Sequence, residues 1–286
     1  MIVLTGAGGK TGRAVLKEFA AKSLNVRALV FRREQSDEML DLGARETAWG
    51  DMRDPRFMHI ALEGARAVYH ICPNVHPEEF AIGRNLIEAA KNHSVDLFAY
   101  HSVLHPQTEK MAHHWQKLRV EELLFESGLA HIILQPAPYM QNLLAYWKQI
   151  LHEGIYSVPY SPAARISMVD LADVAEAAAI LVSSNRHMGG IFEIVGTRAL
   201  SQMDVAAIIS QQLEIDISVE QISLDAWRQK AQKLGLGDYE IKALLGMFQY
   251  YDQYGLVGNN RILSWLLGRE PTQLSHFVNQ LLGNQP

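Results

Sequence analysis

Gly6, Gly9 and Gly12 stand three apart, directly behind the apolar run 2–5 and directly ahead of a helical pattern. Glycines at a strand-to-helix turn bare the backbone N–H groups. The helix N-terminus adds the positive end of its dipole, so an anion can be held there. A dinucleotide pyrophosphate is the anion that such a turn fits. The spacing G-x-x-G-x-x-G departs from G-x-G-x-x-G in its first interval. Gly9-Lys10-Thr11 looks like the end of the NTPase phosphate loop, G-x-x-x-x-G-K-[ST]. The first glycine of that loop would fall on Leu4, inside the strand, and the geometry rejects it. A tight turn without a ligand is the plain structural alternative.

Other residues lie where such a site would need them. Arg32-Arg33 follow the β-rich run 26–31, and no acid precedes them. A carboxylate there would bind the ribose 2′-hydroxyl of NAD, whereas a basic residue accepts the 2′-phosphate of NADP. NADP is favoured, with NAD as the alternative and a solvated charge pair as the reading without a ligand. Asp51 and Asp54 follow the third strand. Asp54 before Pro55 makes a good helix N-cap with proline at N1, which leaves Asp51 to accept from an adenine amino group. Lys117 shares a helical stripe with Val120 and Leu124. An unpaired lysine there is costly to bury, so it needs a polar partner, and ribose hydroxyls would serve. Snorkelling to solvent is the alternative.

Histidine is dense at His101, His105, His113 and His114. His101 and His105 are four apart, but their segment follows a strand and carries Pro106. Helical ligand geometry does not apply, and no metal is expected. Cys72 sits at a strand end beside Pro73. It reads as a small buried residue, since no basic neighbour lowers its pKa.

These residues must be positioned by alternating elements. β-rich runs fall at 26–31, 45–49, 67–71, 97–100 and 131–134, with helical patterns between them. In 79–92, Gly83, Leu86, Ile87 and Ala90 follow i, i+3, i+4, i+7. Repeated βα units imply a parallel sheet of six or seven strands covered on both faces, a Rossmann-type α/β core. Residues 142–152 read as a helix, 155–162 as a loop, 170–182 as an Ala-rich helix and 191–195 as a strand. From Leu200 on, helices are expected at 201–213, 224–234, 239–254 and 272–282. The reading is a core over 1–198 and a smaller, mostly helical lobe over 199–286, above the C-terminal strand ends where ligands bind in such folds.

The chain has 286 residues, 48% of them hydrophobic, and a net charge of −5. Its length allows a full core, and its charge argues against nucleic acid as a partner. One cysteine excludes an intrachain disulfide and fits a reducing cytoplasm. The first apolar run is too short for a signal peptide, and no stretch is long enough to span a bilayer.

Taken together, the residues resemble the NmrA-like branch of the atypical short-chain dehydrogenases/reductases. The resemblance rests on Thr5-Gly6-Ala7-Gly8-Gly9-Lys10-Thr11-Gly12, on Gly50-Asp51-Met52-Arg53-Asp54 and on His101-Ser102-Val103. It continues with Lys117 followed by Val120-Glu121-Glu122-Leu123-Leu124, with Gln135-Pro136 and Asn142, with the run from Ile166 to Ala175, and with Leu266-Leu267-Gly268-Arg269-Glu270-Pro271-Thr272. It covers nearly the whole chain. Two departures stand out. The Tyr-x-x-x-Lys of the wider superfamily becomes His113 with Lys117, and the arginine usual at the second strand end is Phe31.

The resemblance implies NAD(P)H-dependent reduction of a small apolar acceptor such as a quinone or enone. Lys10, Thr11, Met52, Cys72 and Pro73 complete the expected cofactor set of Gly6, Gly9, Gly12, Arg32, Arg33, Asp51 and Lys117. Lys117 would hold the nicotinamide ribose, and Ser102 or His113 would hydrogen-bond the acceptor oxygen. Tyr139, Tyr156, Tyr160, Phe248 and Tyr251 would line the substrate pocket, or else pack as ordinary core. A quinone can take its proton from solvent, so the missing tyrosine is not fatal. The family also implies a second reading: a catalytically silent dinucleotide sensor with a regulatory protein partner. A sugar-nucleotide epimerase is weaker, because that chemistry leans on the absent tyrosine.

Overall fold

In the computed structural model, which describes residues 1–283, nine strands form. They are β1 (Ile2–Leu4), β2 (Val26–Val30), β3 (Glu46–Trp49), β4 (Ala67–His70), β5 (Leu97–His101), β6 (His131–Pro136), β7 (Ile155–Val158), β8 (Ile191–Ile194) and β9 (Ser218–Gln221). The first six helices are α1 (Lys10–Ala21), α2 (Ser36–Asp41), α3 (Pro55–Ala61), α4 (Glu79–Asn92), α5 (Ala112–Ser127) and α6 (Leu144–Glu153). The rest are α7 (Leu171–Val182), α8 (Gln202–Leu213), α9 (Leu224–Lys233), α10 (Asp238–Tyr254), α11 (Arg261–Leu267) and α12 (Leu274–Gly283).

Seven strands make one sheet in the order β3-β2-β1-β4-β5-β6-β8. The pairs from β3 through β6 are all parallel. This is the α/β Rossmann-type architecture expected. The strand order reverses between β1 and β4, the position at which such sheets open a crevice for ligands. On one face, Val3, Leu29, Val68, Phe98 and Ile133 of the sheet pack with Met58, Leu62, Leu86, Val120 and Leu124 of α3, α4 and α5 or next to them. A Cβ on Gly83 would lie 2.7 Å from Val120, so glycine lets α4 approach α5.

The chain forms two compact units. The first comprises Met1–Gln107, His113–Gln135 and Val174–Phe192. The second comprises Thr108–Ala112, Pro136–Asp173 and the residues from Glu193 onward. The second unit contains its own parallel pair, β7 with β9. Residues 155–158 are therefore a strand and not part of a loop. Ile155, Tyr156 and Val158 are β-formers, and the prolines at 159 and 162 act only beyond them. In the same unit α8 packs on α12 and α9 on α10. Asp173, 1% exposed, binds Arg269 at 2.7 Å, the Thr272 N–H at 2.6 Å and the Thr272 hydroxyl at 3.1 Å. Among the described residues no helix is long and apolar enough to cross a membrane.

Candidate functional site

At the end of β1, Gly6 adopts φ +63, and a Cβ there would stand 2.7 Å from the Ile71 carbonyl oxygen. Conformation and space both demand glycine. Gly12 faces the backbone of Gly6 and Ala7 so closely that any Cβ would collide, which fixes α1 against β1. Gly9 differs. It is extended, and its Cβ would meet only the Gly6 oxygen, at 3.3 Å. Gly9 is also the N-cap of α1, with no side-chain cap and no acid in the first turn. Its surroundings are a cradle that only a Cβ would fill, at the positive end of a helix, and they fit a pyrophosphate. Lys10 and Thr11 open α1 beside it.

A polar network lies beneath the ends of β4 and β5. Lys117 Nζ is 2.6 Å from Glu79 Oε1 and 3.4 Å from the His101 carbonyl oxygen. It also rides 5.5 Å from the centre of the Tyr100 ring. Tyr100 donates its hydroxyl to the same Glu79 oxygen at 2.8 Å. Val120 and Leu124 are buried on the same stripe of α5, as the spacing required. The polar partner of Lys117 is thus a carboxylate of the chain itself. Glu79 sits in the first turn of α4, where a negative charge is favoured by the helix dipole. His70 stacks on Tyr100 at 5.6 Å, and its Nδ1 is 2.8 Å from the Thr5 hydroxyl. Burial, then the Lys117 charge, push His70 and His101 down to about 3.

Ser102 donates its hydroxyl to Glu121, and the Gln135 amide N–H donates to both Glu121 oxygens, at 3.0 and 3.1 Å. Burial raises the Glu121 pKa against the pull of these hydrogen bonds. The Ser102 proton is therefore committed within the protein. His113 lies one turn before Lys117 and packs edge-on against His114. Its buried Nδ1 has no hydrogen-bond partner among the described residues. Burial, then Lys117, push it down to about 4, so at neutral pH it is an uncharged imidazole. His101 pairs with the Tyr69 hydroxyl at 2.9 Å and His114 with the His105 carbonyl at 3.3 Å. Among the described residues no three histidine, cysteine or acidic side chains cluster as metal ligands.

Beyond β2, Arg32 and Arg33 are exposed, and neither guanidinium has a partner among the described residues. Gln35 accepts from the Arg32 N–H at 3.0 Å and lays its amide against Gly8. Asp54 caps α3 by accepting from the Arg56 N–H at 2.9 Å, with Pro55 following. Asp51 does not present a bare carboxylate. Arg53 grips both of its oxygens, at 2.6 to 3.0 Å, and holds its pKa below the usual carboxylate range. Met52 packs against the core. Cys72 is buried, which pushes its thiol pKa up, and Pro73 is exposed.

The five aromatic residues all belong to the second unit. Tyr160 contacts Phe248 at 5.9 Å and Tyr251 at 5.8 Å, and Phe248 meets Trp227 at 4.8 Å. Tyr156 donates to Gln202 at 3.0 Å. Tyr139 precedes the turn Met140–Leu143. Burial raises the phenol pKa of Tyr156, Tyr160 and Tyr251.

Sequence reasoning missed Glu79, Tyr100 and Glu121. The signal for Glu79 was indirect: a lysine on an apolar stripe needs a counter-charge, but 38 residues and a strand separate the two. Glu121 lies one turn beyond Lys117 on the same helix, yet turns instead to Ser102.

Comparison with known proteins gives a consistent setting. Quinone oxidoreductase 2 of Escherichia coli K12 is 26% identical over 283 residues, covering 98% of each chain. The NAD(P)H azoreductase of Xenophilus azovorans is 29% identical over 280 residues, 97% of this chain and 96% of that protein. The crystal structure of an Escherichia coli NADPH-dependent quinone oxidoreductase complexed with NADPH superposes with a TM-score of 0.87 at 26% identity, over 99% of this chain and 100% of the other. The profile of the NmrA-like family matches residues 1–280, and the chain belongs to that family.

Proposed function

We propose that the protein is an NADPH-dependent reductase of small quinone-like acceptors. The observation that carries this reading is the glycine turn after β1, where α1 begins without a side-chain cap and only a Cβ on Gly9 would fill the space. The reading gains support from relatives that match along nearly their whole length: an Escherichia coli quinone oxidoreductase, with a crystal structure of an Escherichia coli NADPH-dependent quinone oxidoreductase complexed with NADPH, and an NAD(P)H azoreductase. Gly6, Gly9 and Gly12 would hold the pyrophosphate, Arg32 with help from Arg33 the 2′-phosphate, and Lys117 the nicotinamide ribose. When bound, NADPH supplies the hydride. The chain's own part is to bind, orient and keep water away. At neutral pH His113 is uncharged and has no ionised proton to give, so the proton that completes a hydroquinone comes from solvent. We assign the protein to a reducing compartment, the cytoplasm, on its single buried cysteine.

The test is steady-state oxidation of NADPH with a panel of small quinones, followed by the absorbance of the reduced nicotinamide. The expected result is quinone-dependent consumption, one NADPH per quinone, and a weaker response to NADH. NADPH binding with no turnover on any quinone would overturn the enzyme reading. It would favour a dinucleotide sensor with a protein partner, a role compatible with His113 in the tyrosine position.

A further inference from the structure

We propose that Glu79 is a positioning residue that fixes the Lys117 ammonium in the place where it engages the dinucleotide. The inference rests on the reading of Lys117 as a cofactor residue. Its basis is the uneven use of the Glu79 carboxylate. Oε1 takes both Lys117 Nζ, at 2.6 Å, and the Tyr100 hydroxyl, at 2.8 Å. Oε2 is buried and has no partner among the described residues. Glu79 is 1% exposed and the Lys117 side chain 14%. A largely buried ion pair of this kind is a poor device for stability, because both ions lose hydration and a free carboxylate oxygen returns nothing. It is a good device for placement. The ammonium is held from one side by Glu79 and from another by the His101 carbonyl at 3.4 Å, over the face of Tyr100. Three N–H donors meet two acceptors of the chain, so one donor remains for a ligand hydroxyl. Tyr100 fixes the carboxylate in turn, and the first turn of α4 favours its charge.

The experiment compares wild type, Glu79→Gln, Glu79→Asp, Lys117→Met and the double variant Glu79→Gln/Lys117→Met. NADPH affinity is measured by calorimetry, kcat and KM with a small quinone, and folding by circular dichroism. Glu79→Gln keeps the shape and an acceptor for Tyr100 but drops the charge. It should weaken NADPH binding about tenfold, with kcat at saturating NADPH changed much less. Glu79→Asp should recover part of the loss. The double variant should bind no more weakly than Lys117→Met alone, since two residues acting through one contact are not additive. It also removes both charges of the pair, so it keeps the test open if Lys117→Met does not fold; its affinity is then set against Glu79→Gln and should be close to it. Folded Glu79→Gln with wild-type affinity overturns the proposal. So does a Glu79→Gln penalty that persists in full on top of Lys117→Met, or a double variant that binds far more weakly than a folded Glu79→Gln. Wild type that binds no NADPH overturns the cofactor reading and this proposal together, whereas wild-type binding with an unaltered Glu79→Gln overturns this proposal alone.

Discussion

Each of the two units contains a carboxylate that is 1% exposed and holds a cation, Glu79 with Lys117 at 2.6 Å and Asp173 with Arg269 at 2.7 Å. The two are used differently. Asp173 spends both oxygens, on a guanidinium that is 44% exposed, a backbone N–H and a hydroxyl. It ties the start of α7 to the segment before α12. Glu79 spends one oxygen, and its partner is an ammonium whose side chain is 14% exposed, beside four buried histidines, His70, His101, His113 and His114. A saturated carboxylate with an open cation is a clasp. A half-used carboxylate with a mostly buried cation is a holder, and the surroundings of the second kind are expensive to maintain unless a ligand makes use of them.

The largest expected effect separates the units by acid. The folded pKa values lie near 3 for His70, His101 and His114 and near 4 for His113. In the unfolded chain each titrates near 6.5. Between these limits the unfolded state binds more protons. Stability is therefore intact above about pH 6.5 and falls as the pH drops toward the folded values. At pH 5 each such histidine costs about 2 kcal/mol. All four lie in the first unit, and the second has no buried histidine among its described residues. Hydrogen exchange at pH 7 and pH 5 should show β4 and β5 losing protection well before α8 and α12. Equal loss in both units would break the comparison.

The clasp is tested by Asp173→Ala. It removes the acceptor of the Thr272 N–H and the carboxylate paired with Arg269, and should cost about 2–3 kcal/mol in denaturant unfolding. NADPH affinity of the folded fraction should stay at the wild-type level. A loss of affinity without a loss of stability would make Asp173 a binding residue and erase the contrast.

A comparable or smaller effect is expected at Arg32. Replacing it with alanine should cost on the order of 1.5–3 kcal/mol for NADP with little change for NAD, because a guanidinium–phosphate contact is charge-assisted. Equal wild-type affinities for the two cofactors would refute the preference. The smallest effect is at His113. Turnover of His113→Ala should fall less than tenfold, about 1.4 kcal/mol at most, with no change in the pH profile between about 6 and 8. A loss of several orders of magnitude would show that the imidazole acts as the acid.

How far the sequence led is clearest residue by residue. The parallel core was readable because βα alternation and the buried stripe Val120–Leu124 are local patterns. Asp54 as a cap and the glycine turn between the first strand and the first helix were readable for the same reason. The strand 155–158 was hidden because its partner β9 lies in a stretch whose pattern is otherwise helical, and a two-strand pair is set by tertiary packing. Nothing local marks residues 136–173 as companions of the C-terminal helices. The need of Lys117 for a partner was legible, but the identity of Glu79 was not, since only the fold brings α4 to α5. Asp51 was legible as a loop residue but not as the ligand of Arg53 two positions on.

Whether the glycine turn of the first unit holds a dinucleotide is decided by calorimetric titration of NADPH into wild type and Gly9→Val. Gly9 is the right position because its backbone is extended and its Cβ direction is open apart from the Gly6 oxygen, so valine should leave the circular dichroism spectrum intact. Saturable binding to wild type and no measurable heat with Gly9→Val are expected. Unchanged affinity in a folded Gly9→Val protein would contradict it.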